Sequence, residues 1–350
     1  MRNLPIVSLG RIGAVSMVML AAVGARPVFA AEEIRPPVAI QVALDRPIDA
    51  IAAPFVLAAT RGLYRAENLT VSTTIATGTK DAITRVASGA SDVALADINA
   101  LVRYRDAADA IPVKAVFVLL NKAPYAIVAR KSRGVTSLGS LEGKTIGVAE
   151  GDLAIRLWPA LARRNGIKAA QVKQEKISAA VREPMLSAGQ VDAVTGFSFL
   201  SAVNLRDRGV PADDLAVFRF SDYGSAAYGL ALIVNAKFAA EKPEAVKGFL
   251  RPVAAGTQLA ITDPARAIDD VISRMEGGAR DLELARLRIA IHDNILTDEV
   301  RRDGLGGIDA MRFEASLDEI AEDFTFRKRP SPADIFDDSF LPVAIGRKIN

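Results

Sequence analysis

The sequence predicts an α/β protein made of two similarly built lobes, and three observations carry that prediction. The stretch Gly78 to Asp97, GTKDAITRVASGASDVALAD, reads as a glycine-bearing loop, an amphipathic helix with Ala82, Ile83, Val86 and Ala87 on one face, a stop at Gly89, and a buried strand ending in a carboxylate. LSAGQVDAV from Leu186 repeats VASGASDVA from Val86 at an offset of about 100 residues, so that Gly89 answers to Gly189 and Asp92 to Asp192. Apolar strand-like runs alternate with helical patterns as far as Asn235, and beyond Lys242 only helical patterns remain.

Taken in order, Val38 to Leu44 (VAIQVAL) is a nearly continuous apolar run suited to a strand buried on both faces, with a turn at Asp45 to Pro47. Phe55, Ala58, Ala59 and Leu63 fall at helical spacing after Pro54, and Asn68 stands where a left-handed residue ends a helix. Leu69 to Thr77 is rich in β-branched residues and predicts a second strand. After Asp97 come a short helix, a strand from Val113 to Leu120, the turn Asn121-Lys122-Ala123-Pro124 and a strand from Tyr125 to Arg130. Two strands broken by such a turn mark a crossing from one lobe to the other.

Lys144 to Glu150 predicts a strand running into Gly151-Asp152, followed by a helix from Leu153 to Asn165 that Pro159 should kink or restart. Val172 to Ile177 is the next strand, and Pro184 starts the repeated helix from its first position. Its strand, Val191 to Thr195, leaves through the loop Gly196-Phe197-Ser198. Leu215 to Phe220 and Gly229 to Asn235 are further strands separated by Ser221-Asp222-Tyr223-Gly224, and the second is another crossing. Helical patterns follow from Pro243, Pro264, Leu282 and Leu296 and from Asp309 to Phe324, and residues 326–350, with three prolines, predict a loosely structured tail.

Composition narrows the function. Half of the 350 residues are hydrophobic, enough for the cores of two domains. The 44 basic residues exceed the 41 acidic ones by three, and Arg2, Arg11 and Arg26 in the acid-free first thirty residues account for the excess. The remainder is neutral, which gives no electrostatic case for nucleic acid. Arg2 and Arg11 precede an apolar run from Ile12 to Ala25, shorter than a spanning helix, and Ala30 closes a cleavage-like Arg-Pro-Val-Phe-Ala; residues 1–30 read as a signal peptide. With no cysteine there is no disulfide, no thiolate metal site and no lipid-modified cysteine, so the expected location is free in a bacterial periplasm.

The same inventory argues against catalysis. His292 is the one histidine and falls in a helical pattern, and neither a GxSxG elbow nor a Walker loop is present. Glu150 and Asp152 could act as an acid/base pair, but acids at strand ends commonly cap helices. The expectation is a non-enzyme without cofactor. In an open α/β sheet, ligands bind where strands deliver their carboxyl ends. That rule nominates Pro47, Ile48, Asp49, Thr77, Gly78, Thr79, Asp97, Asn121, Glu150, Asp152, Gly196, Phe197, Ser198, Asp222 and Tyr223 as ligand-binding residues, each of which could instead serve a turn or a cap.

Five blocks in a fixed order, PFVLAATRGLYRAENLTV from Pro54, GTKDAITRVASGASDVALAD, LEGKTIGVAEGD from Leu141, MLSAGQVDAV from Met185 and GLALIVNAKFAAEKPEAVKGFL from Gly229, resemble the nitrate/sulfonate/taurine solute-binding proteins. That family shares a superfamily with the binding proteins for thiamine-pyrimidine precursors. The resemblance spans about Val38 to Val271. It implies a type II periplasmic binding fold, two α/β lobes joined by two crossover strands with C-terminal helices, and an ABC permease in the inner membrane as partner. Residues 31–124 and 235–325 would form the first lobe, 125–234 the second and 326–350 a tail, in a monomer that closes over a small ligand. The alternatives are an exported sensor of the same fold feeding a signalling partner and a thiamine-pyrimidine synthase-like enzyme.

The ligand classes implied are a sulfonate, an aminopyrimidine or an aromatic acid. Asp152, Glu150 and Asp97 at the expected cleft would repel an anion, which favours a neutral or amine-bearing ligand unless Arg182 or Arg61 swings in. The fungal thiamine-pyrimidine synthases of similar fold use clustered cysteines and an internal histidine. The absence of cysteine here argues for binding over synthesis.

Overall fold

A computed structural model describes residues 36–349; the signal peptide read at residues 1–30 lies outside the described residues. Ten strands are described: β1 (Val38–Leu44), β2 (Leu69–Ile75), β3 (Val93–Asp97), β4 (Val113–Val118), β5 (Tyr125–Arg130), β6 (Thr145–Ala149), β7 (Lys173–Ile177), β8 (Ala193–Phe197), β9 (Leu215–Arg219) and β10 (Leu230–Asn235). They form two five-stranded sheets, ordered β2-β1-β3-β10-β4 and β7-β6-β8-β5-β9. In the first, β1 runs parallel to β2 and β3, and β10 runs antiparallel to β3 and β4. In the second, β6 runs parallel to β7 and β8, and β5 runs antiparallel to β8 and β9. The two sheets therefore share one arrangement of strand order and direction, with the antiparallel strand entering last in the first sheet and first in the second.

The sequence repeat is the local cause of that likeness. Gly89 (φ 78°) and Gly189 (φ 73°) both take the left-handed conformation after their helices, where a side chain would be strained. Asp92 then accepts a hydrogen bond from the backbone N–H of Gln41 in β1 at 2.8 Å, and Asp192 accepts one from Thr145 in β6 at 2.9 Å. Each aspartate fastens its own strand to the central parallel strand of its sheet. The continuous apolar runs of β3, β5 and β10 are buried almost throughout, whereas β1, expected to be buried on both faces, is exposed at Ala39 and Gln41 in its first half.

Two segments cross between the sheets, 119–124 from β4 to β5 and 220–229 from β9 to β10. A third traverse was not expected. The helix Ala310–Ala321 packs on the second lobe's helix Leu153–Arg164, where Arg164 donates to Glu319 at 2.8 Å. The chain then returns to the first sheet: Arg327 and Lys328 donate backbone N–H groups to Asp106 at 2.9 and 3.1 Å, and Asp337 donates its own to the Ala115 carbonyl at 2.9 Å.

Several local expectations need correction. The tail is not loosely structured, because Ile335 and Phe336 are buried beside β4 and short helices occupy Pro332–Ile335 and Ala344–Arg347. Gly196 and Phe197 are not an exit loop; pairing with β5 extends β8 through Phe197. Pro184 is the third residue of the helix Arg182–Ser187, not its first, since the chain turns helical at Arg182. The helix Leu153–Arg164 continues through Pro159 without restarting.

Candidate ligand-binding cleft

The carboxyl ends of β2 and β6 face each other across a cavity of about 710 Å³. From the first lobe it is lined by Thr77, Gly78 and Thr79, and from the second by Glu150 and Gly151. Gly78 takes φ 125°, which the tight entry to the helix Thr79–Ser88 requires, and no side chain caps that helix. Asp81 instead reaches back to the Thr77 N–H at 2.9 Å and fixes the loop. A second cavity of about 1000 Å³ shares Glu150 and Gly151 and runs on along Gln174, Lys176 and Ser178.

Behind this cavity the lobes meet through a buried polar cluster. Thr79 donates its hydroxyl to Asp45 at 3.0 Å and accepts from the Asp97 N–H at 3.3 Å, tying together the ends of three strands. Asp45 pairs with Arg46 through two bonds of 2.9 Å, and the guanidinium lies 4.8 Å from the ring centre of Phe197 in the other lobe. Burial pulls the Arg46 pKa down, but Asp45, Asp49 and Asp97 more than offset that, and it ends above its ordinary value.

Asp97 caps the helix Ile98–Arg105, accepting from the N–H and the side-chain amide of Asn99 at 2.8 and 2.9 Å. Its other oxygen accepts from the Tyr125 hydroxyl, across the lobes, at 2.5 Å. Burial pushes Asp97 up to about 6 against the pull of these bonds. It raises Tyr125 well above the usual phenol range, with the Asp97 charge adding to the effect. Asp49 caps the short turn Ala50–Ala52, and burial pushes it up to about 6 as well.

On the second wall Asp152 caps the helix Leu153–Arg164, accepting from the Ala154 N–H at 2.8 Å and the Thr195 hydroxyl at 2.5 Å, with Arg182 3.6 Å away. Of the acids nominated to repel an anion, Asp97 and Asp152 are therefore engaged in capping, and Glu150 stands exposed at the cavity wall. At Gly196 a Cβ would stand 2.5 Å from Ser201 Oγ, so close packing requires glycine there.

The structure thus brings Thr77, Gly78, Thr79, Glu150 and, along the second cavity, Asp152 to the cleft, with Asp49, Asp97, Gly196 and Phe197 behind it. Ser198 is buried, its N–H given to the Pro124 carbonyl at 2.8 Å. Pro47 is exposed and Ile48 packs on the first lobe's core. Asn121 serves a crossing, bonded to Thr297, Glu299 and Arg312 at 2.7, 2.8 and 2.9 Å. Asp222 pairs with Arg219 at 2.7 Å and Tyr223 packs on Phe218, both outside the two cavities. Arg61 is held by Asp270 at 2.7 Å, so it is not the cation that serves the cleft.

Sequence reasoning missed Lys80, Arg103, Tyr104, Arg156, Asp323 and Phe324, which also line the 710 Å³ cavity. Arg103 reads in sequence as a cation suiting a helix C-terminus, and Asp323 belongs to the far end of the chain.

A two-lobed α/β architecture with a cleft between the lobes is that of periplasmic binding proteins, and solved structures of that class superpose on this one. The alkanesulfonate-binding protein SsuA from Xanthomonas axonopodis pv. citri, bound to MOPS, aligns with a TM-score of 0.64 and 16% identity over 87% of this chain and 99% of its own. The nitrate-binding protein NrtA from Synechocystis PCC 6803 aligns with a TM-score of 0.62 and 12% identity over 87% of each chain. At such identities the likeness is one of fold.

Curated sequence relatives include the 4-amino-5-hydroxymethyl-2-methylpyrimidine phosphate synthase THI13 of Saccharomyces cerevisiae, 27% identical over 63% of this chain and 66% of that protein. Another is the riboflavin-binding protein RibY of Chloroflexus aurantiacus, 29% identical over 62% of this chain and 61% of its own. The matches span just under two thirds of these relatives. A family model described as NMT1/THI5 like matches residues 50–267, more than half of the sequence, and the chain belongs to that family.

Proposed function

We propose that this protein is the exported solute-binding component of an ABC importer, capturing a small organic solute between two closing lobes and delivering it to an inner-membrane permease. The observation that carries the reading is the cavity lined from both lobes at the ends of β2 and β6. A ligand touching both walls binds the closed form best, so occupancy shifts the population toward closure, and the crossings 119–124 and 220–229 are where the chain would bend. Thr77, Gly78, Thr79 and Glu150 are the proposed contacts. Similarity in fold to ABC binding proteins and in sequence to a riboflavin-binding protein supports this reading.

The curated synthases favour a second reading, a pyrimidine-forming enzyme. Against it, the chain has no cysteine, and His292, its one histidine, is a surface residue beside Asp293 with 85% of its side chain exposed. Mass spectrometry of solute retained by the purified full-length protein, followed by calorimetry, tests the proposal. A saturable solute released unchanged supports binding; turnover of that solute, or no saturable solute at all, sinks the importer reading. Solute uptake by cells with and without this protein separates import from sensing.

A further inference from the structure

Two arginines converge on the cleft from opposite walls. Arg103 closes the helix Ile98–Arg105 that follows β3, and Arg156 lies in the helix Leu153–Arg164 that follows β6. Each places Nη1 3.5 Å from the same oxygen of Asp323, just past the helix Ala310–Ala321. A guanidinium–carboxylate bond is ordinarily about 2.7–2.9 Å, so one carboxylate is loosely shared by two cations. Arg103 Nε and Nη2 are buried without a hydrogen-bond partner, and the side chain is only 16% exposed. Its guanidinium lies 5.0 Å from the ring centre of Phe324. Unmatched buried donors of a fixed fork are costly, and a movement of the side chain that brings them to the cavity would let a planar or tetrahedral oxyanion satisfy them.

The rest of the wall indicates what accompanies the anion. Ile83, Ala100, Leu153 and Phe324 present an apolar surface, and Lys80 adds a third cation against Glu150 and Asp323. Asp323 and Phe324 lie beyond residues 50–267, so this corner of the cavity is built by a part of the chain outside the matched family region. Resting on the solute-binding reading above, we propose that Arg103 and Arg156 form an anion subsite that takes the carboxylate, sulfonate or phosphate group of an organic ligand, and that Asp323 is an internal carboxylate competing for it. Displacing Asp323 releases its own pairs to Arg103 and Arg156, one on each lobe, and leaves Glu322 paired with Arg163.

The sign of the Asp323 effect distinguishes a competitor from a simple latch. Calorimetry on the full chain with benzoate, benzenesulfonate and phenyl phosphate, and with benzamide as neutral counterpart, reads it out and separates the three anion chemistries. At least one anion should bind at least about tenfold more tightly than benzamide. Arg103→Gln and Arg156→Gln should each weaken that anion about tenfold, Arg103→Lys should restore part of the loss, and Asp323→Asn should tighten binding several-fold. Far-ultraviolet circular dichroism verifies that the variants fold.

Weaker binding in Asp323→Asn, an unchanged affinity in Arg103→Gln, equal binding of benzamide, or no anion bound at millimolar concentration overturns the subsite. A neutral or cationic solute retained by the purified protein and indifferent to Arg103→Gln overturns the subsite and leaves solute binding standing. Absence of any saturable solute overturns solute binding itself.

Discussion

Asp97 was nominated in sequence because a carboxylate ends a buried strand, and its actual surroundings give it a pH signature. Its pKa of about 6 in the folded chain lies above the value near 4 of an unfolded aspartate, so between those values the folded chain holds a proton that the unfolded chain has released. The stability contributed through Asp97 is fully present below about pH 4 and is lost as pH rises through about 6; Asp49 has the same sign. Denaturant titrations of wild type and Asp97→Asn should therefore diverge as pH rises from 5 to 7, with wild type losing the more, and the Asp97 carboxyl carbon should titrate near 6 by NMR. A midpoint near 4 would remove the burial argument. The paired aspartates of the repeat give a second expectation: Asp92→Ala and Asp192→Ala should each cost about 1 kcal/mol by denaturant midpoint, because each loses one similar bond to a neighbouring strand. Markedly unequal losses would mean that the two lobes use the motif differently.

Among elements, the helices Ala53–Thr60 and Pro243–Thr262 of the first lobe pack closely. A Cβ on Gly256 would stand 2.2 Å from the Pro54 carbonyl oxygen. Alanine favours a helix interior by about 1 kcal/mol over glycine, yet the clash is with backbone that cannot swing away. Gly256→Ala is therefore expected to destabilise by about 1–3 kcal/mol in urea unfolding; a stabilised variant would show that the helices can separate at little cost. Most elements were legible locally, since apolar runs, β-branched stretches and glycine stops act within a few residues. The end of β8 was not, because Gly196 and Phe197 are strand only through pairing with β5. The tail was misread because its prolines mark turns locally, while the apolar pair Ile335 and Phe336 finds its partner at β4.

For the whole molecule, Arg312 links the two crossings. It donates to the carbonyls of Asn121, Ala226 and Ala227 at 2.7, 3.0 and 3.2 Å, pairs with Glu299 at 2.9 Å, and lies 3.9 Å from the ring centre of Tyr228. One side chain thus couples both segments where the lobes would hinge. Arg312→Gln leaves a largely buried Glu299 without its cation, so about 2–4 kcal/mol should be lost, with faster amide exchange at 119–124 and 224–229 than elsewhere. Exchange that rises uniformly would deny the clasp. Asn121 belongs to this network, which explains why a residue nominated for ligand serves the crossing: its partners Thr297, Glu299 and Arg312 come from positions that no local pattern connects to it.

The sequence by itself determined the alternation of strands and helices, the repeated helix-glycine-aspartate-strand unit, and the loops Thr77-Gly78-Thr79 and Glu150-Gly151 at strand ends, because each depends on side-chain periodicity or backbone chirality over a short span. Only the tertiary structure decided what faces those loops. Asp97 and Asp152 spend their oxygens on caps and on hydroxyls of neighbouring strands, whereas Arg103, Arg156 and Asp323 meet because three helices distant in sequence end at one cavity. The charge at the cleft is set by which carboxylates are already satisfied and which guanidinia are not, and that is a property of the folded arrangement.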